Sequence, residues 1–155
     1  MSTWKDFEIS CTDYLNNTFG GFASFECKGG SNSTVPDIKV TTHKGNFFYI
    51  EAKHCPAQCG QFVLFPDTET NLFQYSENNV SEINNSSLAI LSYMNDNFAE
   101  FQNAGTAGKS INMQNGSIIF ADWVIQNYKD KGVRFIITNG NIILPIDDFL
   151  MHFDI

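Results

Sequence analysis

Residues 35–53 read Val35-Pro36-Asp37-Ile38-Lys39-Val40-Thr41-Thr42-His43-Lys44-Gly45-Asn46-Phe47-Phe48-Tyr49-Ile50-Glu51-Ala52-Lys53. Two runs rich in β-branched and aromatic residues, Val35–Thr42 and Phe47–Lys53, flank Lys44-Gly45-Asn46, a tight-turn tripeptide. They are read as neighbouring antiparallel strands. Upstream, Phe22–Lys28 alternates rings with polar groups, and Gly29–Thr34 is a Gly/Ser/Asn turn, so a further strand precedes the pair. Before that, Trp4, Phe7, Cys11, Tyr14, Leu15 and Thr18 fall near a 3.6-residue spacing that stops at Gly20-Gly21. The expectation is a helix over Trp4–Phe19 followed by a three-strand meander.

Downstream the pattern is less regular. Gln61–Phe65 reads as a short strand ahead of Pro66, and Ser81–Gln102 as one helix carrying Ile83, Leu88, Leu91, Met94, Phe98 and Phe101. Gly105–Gly116 is a polar loop. Ser117 is the expected N-cap of a helix through Tyr128, closed by Lys129-Asp130-Lys131-Gly132. Val133–Thr138 and Asn141–Leu144 form a hairpin about Asn139-Gly140, and a short helix begins at Asp147. The sequence holds no repeat, linker or low-complexity segment.

A length of 155 residues fits one domain, 1–155, with a core of its own, and 43% hydrophobic residues mark it as globular. With 15 Phe, that core is expected to be built largely from rings, Trp4 and Trp123 among them. No apolar run is long enough for a membrane span, and MSTWKDFEIS lacks the pattern of a secretory signal. The cytoplasm is the expected location, which agrees with reading Cys11, Cys27, Cys55 and Cys59 as reduced thiols. A zinc site on Cys55 and Cys59 would need a second close pair of ligands, which the sequence does not provide.

Nine Lys plus Arg against 17 Asp plus Glu give a net charge of −8, the wrong sign for a broad nucleic-acid-binding surface. The distribution is more informative than the total. No Lys or Arg occurs from His54 through Gly108, whereas four lysines between Lys28 and Lys53 face only Asp37 and Glu51.

Asp37, Glu51 and Lys53 are the residues in which chemistry concentrates. On a strand, side chains two apart share a face, so Glu51 and Lys53 point together while Ala52 points into the core. Asp37 on the adjacent strand reaches the same patch. Two carboxylates and the Ala52 backbone carbonyl make an all-oxygen site suited to Mg²⁺, with Mn²⁺ as a substitute. Such an ion polarises a phosphate and acidifies water, and an adjacent lysine can orient or deprotonate that water.

Val35-Pro36-Asp37-Ile38 and Tyr49-Ile50-Glu51-Ala52-Lys53, on consecutive strands after a helix, resemble the core motif of the PD-(D/E)XK nucleases, type II restriction endonucleases in particular. The resemblance covers residues 1–65. It implies an α/β restriction-endonuclease-like fold, a mixed sheet with an antiparallel meander flanked by helices. It also implies a Mg²⁺-dependent endonuclease that cuts DNA, with a homodimer suited to cutting both strands of a palindrome. The family often carries another acidic residue on its first helix, where Glu8 falls, with Glu26 as competitor. Gln58 and Gln61 lie in a segment that resembles the one following Glu-x-Lys in some type II restriction endonucleases. The resemblance implies a glutamine able to hydrogen-bond a phosphate, a metal-bound water or a base edge.

The acidity departs from the family, and the chain stops soon after its last helix where many relatives continue into a basic segment. The expectation is therefore a chain truncated at its C-terminus, or phosphate contact through Asn, Gln, Ser and backbone N–H groups. A junction-resolvase-like or repair nuclease is the enzymatic alternative. A catalytically silent, acidic protein-binding module is the non-enzymatic one. His43 and His54 are read as neutral surface residues. Gly105–Ser110 ends in Gly-Lys-Ser but lacks the preceding strand and first glycine of a phosphate loop. Lys109 leaves it a candidate DNA-contacting loop.

Overall fold

A computed structural model describes residues 3–29, 35–56, 60–77, 79, 81–105 and 110–151. The chain forms two compact units, Met1–Cys59 with Tyr128–Asp154, and Gly60–Asn127.

The first unit opens with α1 (Trp4–Phe19). Thr3 and Asp6 form a capping box: the Thr3 hydroxyl accepts from the Asp6 N–H at 3.2 Å, and the Asp6 carboxylate accepts from the Thr3 N–H at 2.8 Å. The meander follows as β1 (Ala23–Cys27), β2 (Ile38–Thr42) and β3 (Phe47–Lys53). β1 pairs antiparallel with β2, and β2 with β3. After the second unit the chain returns through the end of α4 (Gly116–Asp130) to β6 (Val133–Thr138), which lies parallel to β3. β7 (Ile142–Pro145) turns back on β6, and a short 3₁₀ helix covers Ile146–Met151. The resulting five-stranded sheet, ordered β1-β2-β3-β6-β7, is mixed, as expected.

α1 and one sheet face share a buried core of Cys11, Leu15, Ala23, Ile38, Val40, Ile50, Ala52 and Ile137. That core is mainly aliphatic, with Phe7, Phe25, Phe48 and Phe135 at its margin. The ring-built core expected from the phenylalanine count is not found here: Phe22 is 76% exposed, and Trp4, at 56%, lies outside. The last rings that do fill space include Phe149, fully buried under the sheet's far end. Asn16 secures the free edge of β1: its amide oxygen accepts from the Phe25 N–H at 3.1 Å, and its NH₂ donates to the Phe25 carbonyl at 2.8 Å.

The second unit contains the two-stranded sheet β4 (Leu64–Asp67) and β5 (Leu72–Tyr75), then α2 (Asn85–Asp96), α3 (Phe98–Phe101) and most of α4. Phe73, Phe98 and Phe101 form its aromatic core, and Trp123 is buried, as anticipated. Three expectations are corrected here. The strand before Pro66 runs through it, which an edge strand tolerates. The single helix over Ser81–Gln102 begins only at Asn85 and breaks at Asn97, whose backbone (φ −116°, ψ 28°) leaves the helical region and whose side chain donates to the Tyr93 carbonyl at 2.8 Å. α4 starts at Gly116 rather than after a Ser117 cap, because Asn115 (φ 56°) turns the chain into it. No helix among the described residues is long and apolar enough to cross a membrane.

Candidate active site

The second strand was expected from Val35, but β2 begins at Ile38. The reason lies in Asp37 itself. Continuing the β2–β3 register past Ile38↔Ile50 sets Asp37 opposite Glu51 and Pro36 opposite Ala52. The Ala52 N–H bonds instead to the Asp37 carboxylate oxygen Oδ2, at 2.9 Å. A side-chain acceptor has replaced a backbone one, and the ladder ends there. On its other edge the Asp37 carbonyl accepts from the Lys28 and Gly29 N–H groups, at 2.6 and 2.9 Å. Asp37 is thus clamped at its backbone by the segment after β1 and at its side chain by β3.

β3 alternates as expected. Ile50 and Ala52 enter the core with α1, while Glu51 and Lys53 project from the other face. The Lys53 ammonium meets the Glu51 carboxylate at 2.8 Å, both side chains being mostly buried, at 16% and 13% exposure. The same ammonium lies 5.8 Å from the ring centre of Tyr128 at the end of α4.

Glu8 comes from the α1 face. It is buried, and its oxygen Oε2 has no hydrogen-bond partner. Burial pushes its carboxyl pKa up; a hydrogen bond with the Asp37 side chain pulls it down and the Glu51 charge raises it. Asp37 is pushed up to about 7, first by burial and then by the Glu51 charge, against the lowering effect of the Ala52 hydrogen bond. Three carboxylates therefore lie within one another's field, and the molecule resists ionising them together. Glu26 is instead exposed and pairs with Lys28.

Two residues of this neighbourhood carry no motif. Gly29 leaves room for Glu8: a Cβ there would fall 1.8 Å from Glu8 Oε2. Lys131, read only as a helix-closing residue, is half-buried. Its ammonium is pushed down by burial, while the Glu51 and Asp37 charges hold it up and Lys53 opposes it. A lysine between two other predicted elements has no local signal; only the parallel pairing of β6 with β3 brings it near.

The remaining candidates are elsewhere. Gln61 is exposed and belongs to the second unit. Gln58, Cys59 and Lys109 lie outside the described residues. His54 packs edge-on against Phe7, with ring centres 4.9 Å apart, and His43 bonds the Gly21 carbonyl at 2.8 Å. Cys11, Cys27 and Cys55 are free thiols. Asn79, Asn84 and Asn95 are engaged with backbone at Val63, Ser87 and Phe73.

The donor chemistry fits a hard divalent cation. All the donors are oxygens, a buried one is orphaned, and burial followed by the Glu51 charge raises the Asp37 pKa despite the opposing Lys53 charge. Among the described residues no three His, Cys, Asp or Glu side chains converge into a complete cage.

No protein-family model matches the chain, and no curated protein does. A solved structure, "HhaI endonuclease in Complex with DNA", matches with 45% sequence identity and a TM-score of 0.80 over 96% of this chain. The chain spans 56% of that protein's length. By fold and by sequence, this chain is similar to the HhaI endonuclease and has the restriction-endonuclease-like architecture.

Proposed function

We propose that the chain is a type II restriction endonuclease, a metal-dependent endodeoxyribonuclease in which Asp37, Glu51 and the Ala52 carbonyl hold Mg²⁺ and Lys53 acts on the reacting phosphate. The observation that carries this reading is the Asp37–Ala52 hydrogen bond at 2.9 Å, which joins the isolated aspartate to the Glu-x-Lys strand. The likeness to an endonuclease solved on DNA supports it. Further parts of the proposal are that residues 1–155 act as one nuclease domain, that it works in the cytoplasm, and that two copies pair to cut both strands. Mn²⁺ substitutes for Mg²⁺.

Asp37 and Glu51 would hold the cation, whose charge would offset the burial and the Glu51 charge that push the Asp37 pKa up to about 7. Bound there, Mg²⁺ supplies Lewis-acid polarisation of the phosphate and acidification of water. Lys53 starts paired with Glu51, so its ammonium is already held at the site. As an ammonium it orients the attacking water by donating to its oxygen and offsets the charge that builds on the phosphoryl oxygens; to take the water's proton it must first lose one of its own. The Tyr128 ring limits where that ammonium can swing.

The test is incubation of supercoiled plasmid with the protein in Mg²⁺ and in chelator. Discrete fragments formed only with Mg²⁺ are expected. Structure-dependent nicking without discrete sites would make it a resolvase or repair enzyme, and no cutting in any divalent metal would leave a protein-binding role.

A further inference from the structure

Resting on that reading of the site, we propose that Gly29 is a positioning residue: its missing side chain is the space in which the Glu8 carboxylate seats beside Asp37. A glycine can be needed for its backbone or for its lack of a Cβ. Gly29 is not among the glycines with a left-handed backbone, Gly45, Gly60, Gly105, Gly132 and Gly140, so the first reason does not apply. The second does. A Cβ at 29 would stand 1.8 Å from Glu8 Oε2, 2.6 Å from Cδ and 3.2 Å from Oε1, inside contact distance of the whole carboxyl group. The nearest atoms are the end of a flexible side chain and not backbone. A side chain at 29 therefore expels the carboxylate and leaves the chain path alone. The Gly29 N–H meanwhile donates to the Asp37 carbonyl at 2.9 Å, so one residue fixes Asp37 by its backbone and admits Glu8 by its emptiness. Glu8 Oε2, buried and unpartnered, is the atom this arrangement holds ready for a cation.

The experiment is a double-mutant cycle of Gly29→Ala and Glu8→Ala, read as Ca²⁺ affinity by calorimetry and as the metal-free thermal midpoint. Gly29→Ala is expected to weaken Ca²⁺ binding about tenfold, the scale of a lost supporting group at a metal site. It should match Glu8→Ala alone, with no further loss in the double variant. The midpoint shift caused by Gly29→Ala should differ between the wild type and the Glu8→Ala background. If Gly29→Ala alone fails to fold while the double variant folds, the clash with Glu8 is established directly. Equal losses in both backgrounds would mean that Gly29 acts through the backbone, and would overturn the proposal. A wild type that binds no Ca²⁺ would overturn the metal-site reading, while the metal-free cycle would still report whether Glu8 is seated by Gly29.

Discussion

At the scale of the residue, Asp37 carries the most consequence. It titrates near 3.8 in an ordinary setting and near 7 in the folded chain. The native state binds this proton more tightly than the unfolded state. Its stabilising contribution is therefore complete below about 3.8 and is lost as pH rises through about 7. Without metal, the wild type should lose stability between about pH 4 and pH 8 relative to Asp37→Asn, by on the order of 4 kcal/mol, measured by urea unfolding. Since a carboxylate must be deprotonated to hold a cation, cleavage at limiting Mg²⁺ should climb steeply up to about pH 7 and level off above it. A flat profile would mean that Asp37 is not the group that titrates. Lys131 gives a second test at this scale. Lys131→Ala removes a cation from the field of Glu51 and Asp37, and should lower kcat/KM about tenfold with the fold intact. Glu51 and Lys53 were legible because the alternation of β3 is plain in the sequence, and Asp37, just ahead of β2, through the Pro36-Asp37 pair. Gly29 was not, because the need for an empty space appears only when α1 brings Glu8 against it.

At the scale of the element, Asn16 makes the checkable statement. It satisfies both backbone groups of Phe25 on the free edge of β1 and ties that strand to α1. Asn16→Ala should destabilise the fold by about 1–2 kcal/mol, the net value of two modest hydrogen bonds, in urea unfolding. No change would mean that water replaces both bonds. α1 and β3 match the sequence reading at both ends, since a capping residue, a glycine pair and a tight turn bound them. Elsewhere local pattern was overruled by particular side chains. Asn97 divides a periodic helix by bonding back to Tyr93. β5 escaped notice at four residues, although the turn before it was written in Asp67, whose carboxylate accepts from the Glu69 and Thr70 N–H groups. The partner of β6 was hidden for a different reason: hairpin signals report β7, while the parallel pairing with β3 joins strands separated by the whole second unit.

At the scale of the whole molecule, the net charge of −8 would meet, on the proposed function, a substrate that is itself a polyanion. With nine cationic side chains in the chain, few phosphates can be neutralised, at a slope of roughly −0.9 in log K against log salt for each one. Duplex binding followed by anisotropy should thus be weak without metal, strengthen with Ca²⁺, and depend only shallowly on salt. Tight metal-free binding with a steep slope would contradict this expectation. The central claim is narrower than binding: Asp37, Glu51 and Lys53 form the cutting site. It is tested most directly by single-turnover cleavage of a duplex in saturating Mg²⁺, comparing the wild type with Asp37→Ala, Glu51→Ala and Lys53→Ala, each first shown to be folded. The account predicts no detectable cutting by the two carboxylate variants and a loss of at least about a hundredfold for Lys53→Ala. Cutting at the wild-type rate by a folded Asp37→Ala or Glu51→Ala variant would contradict it.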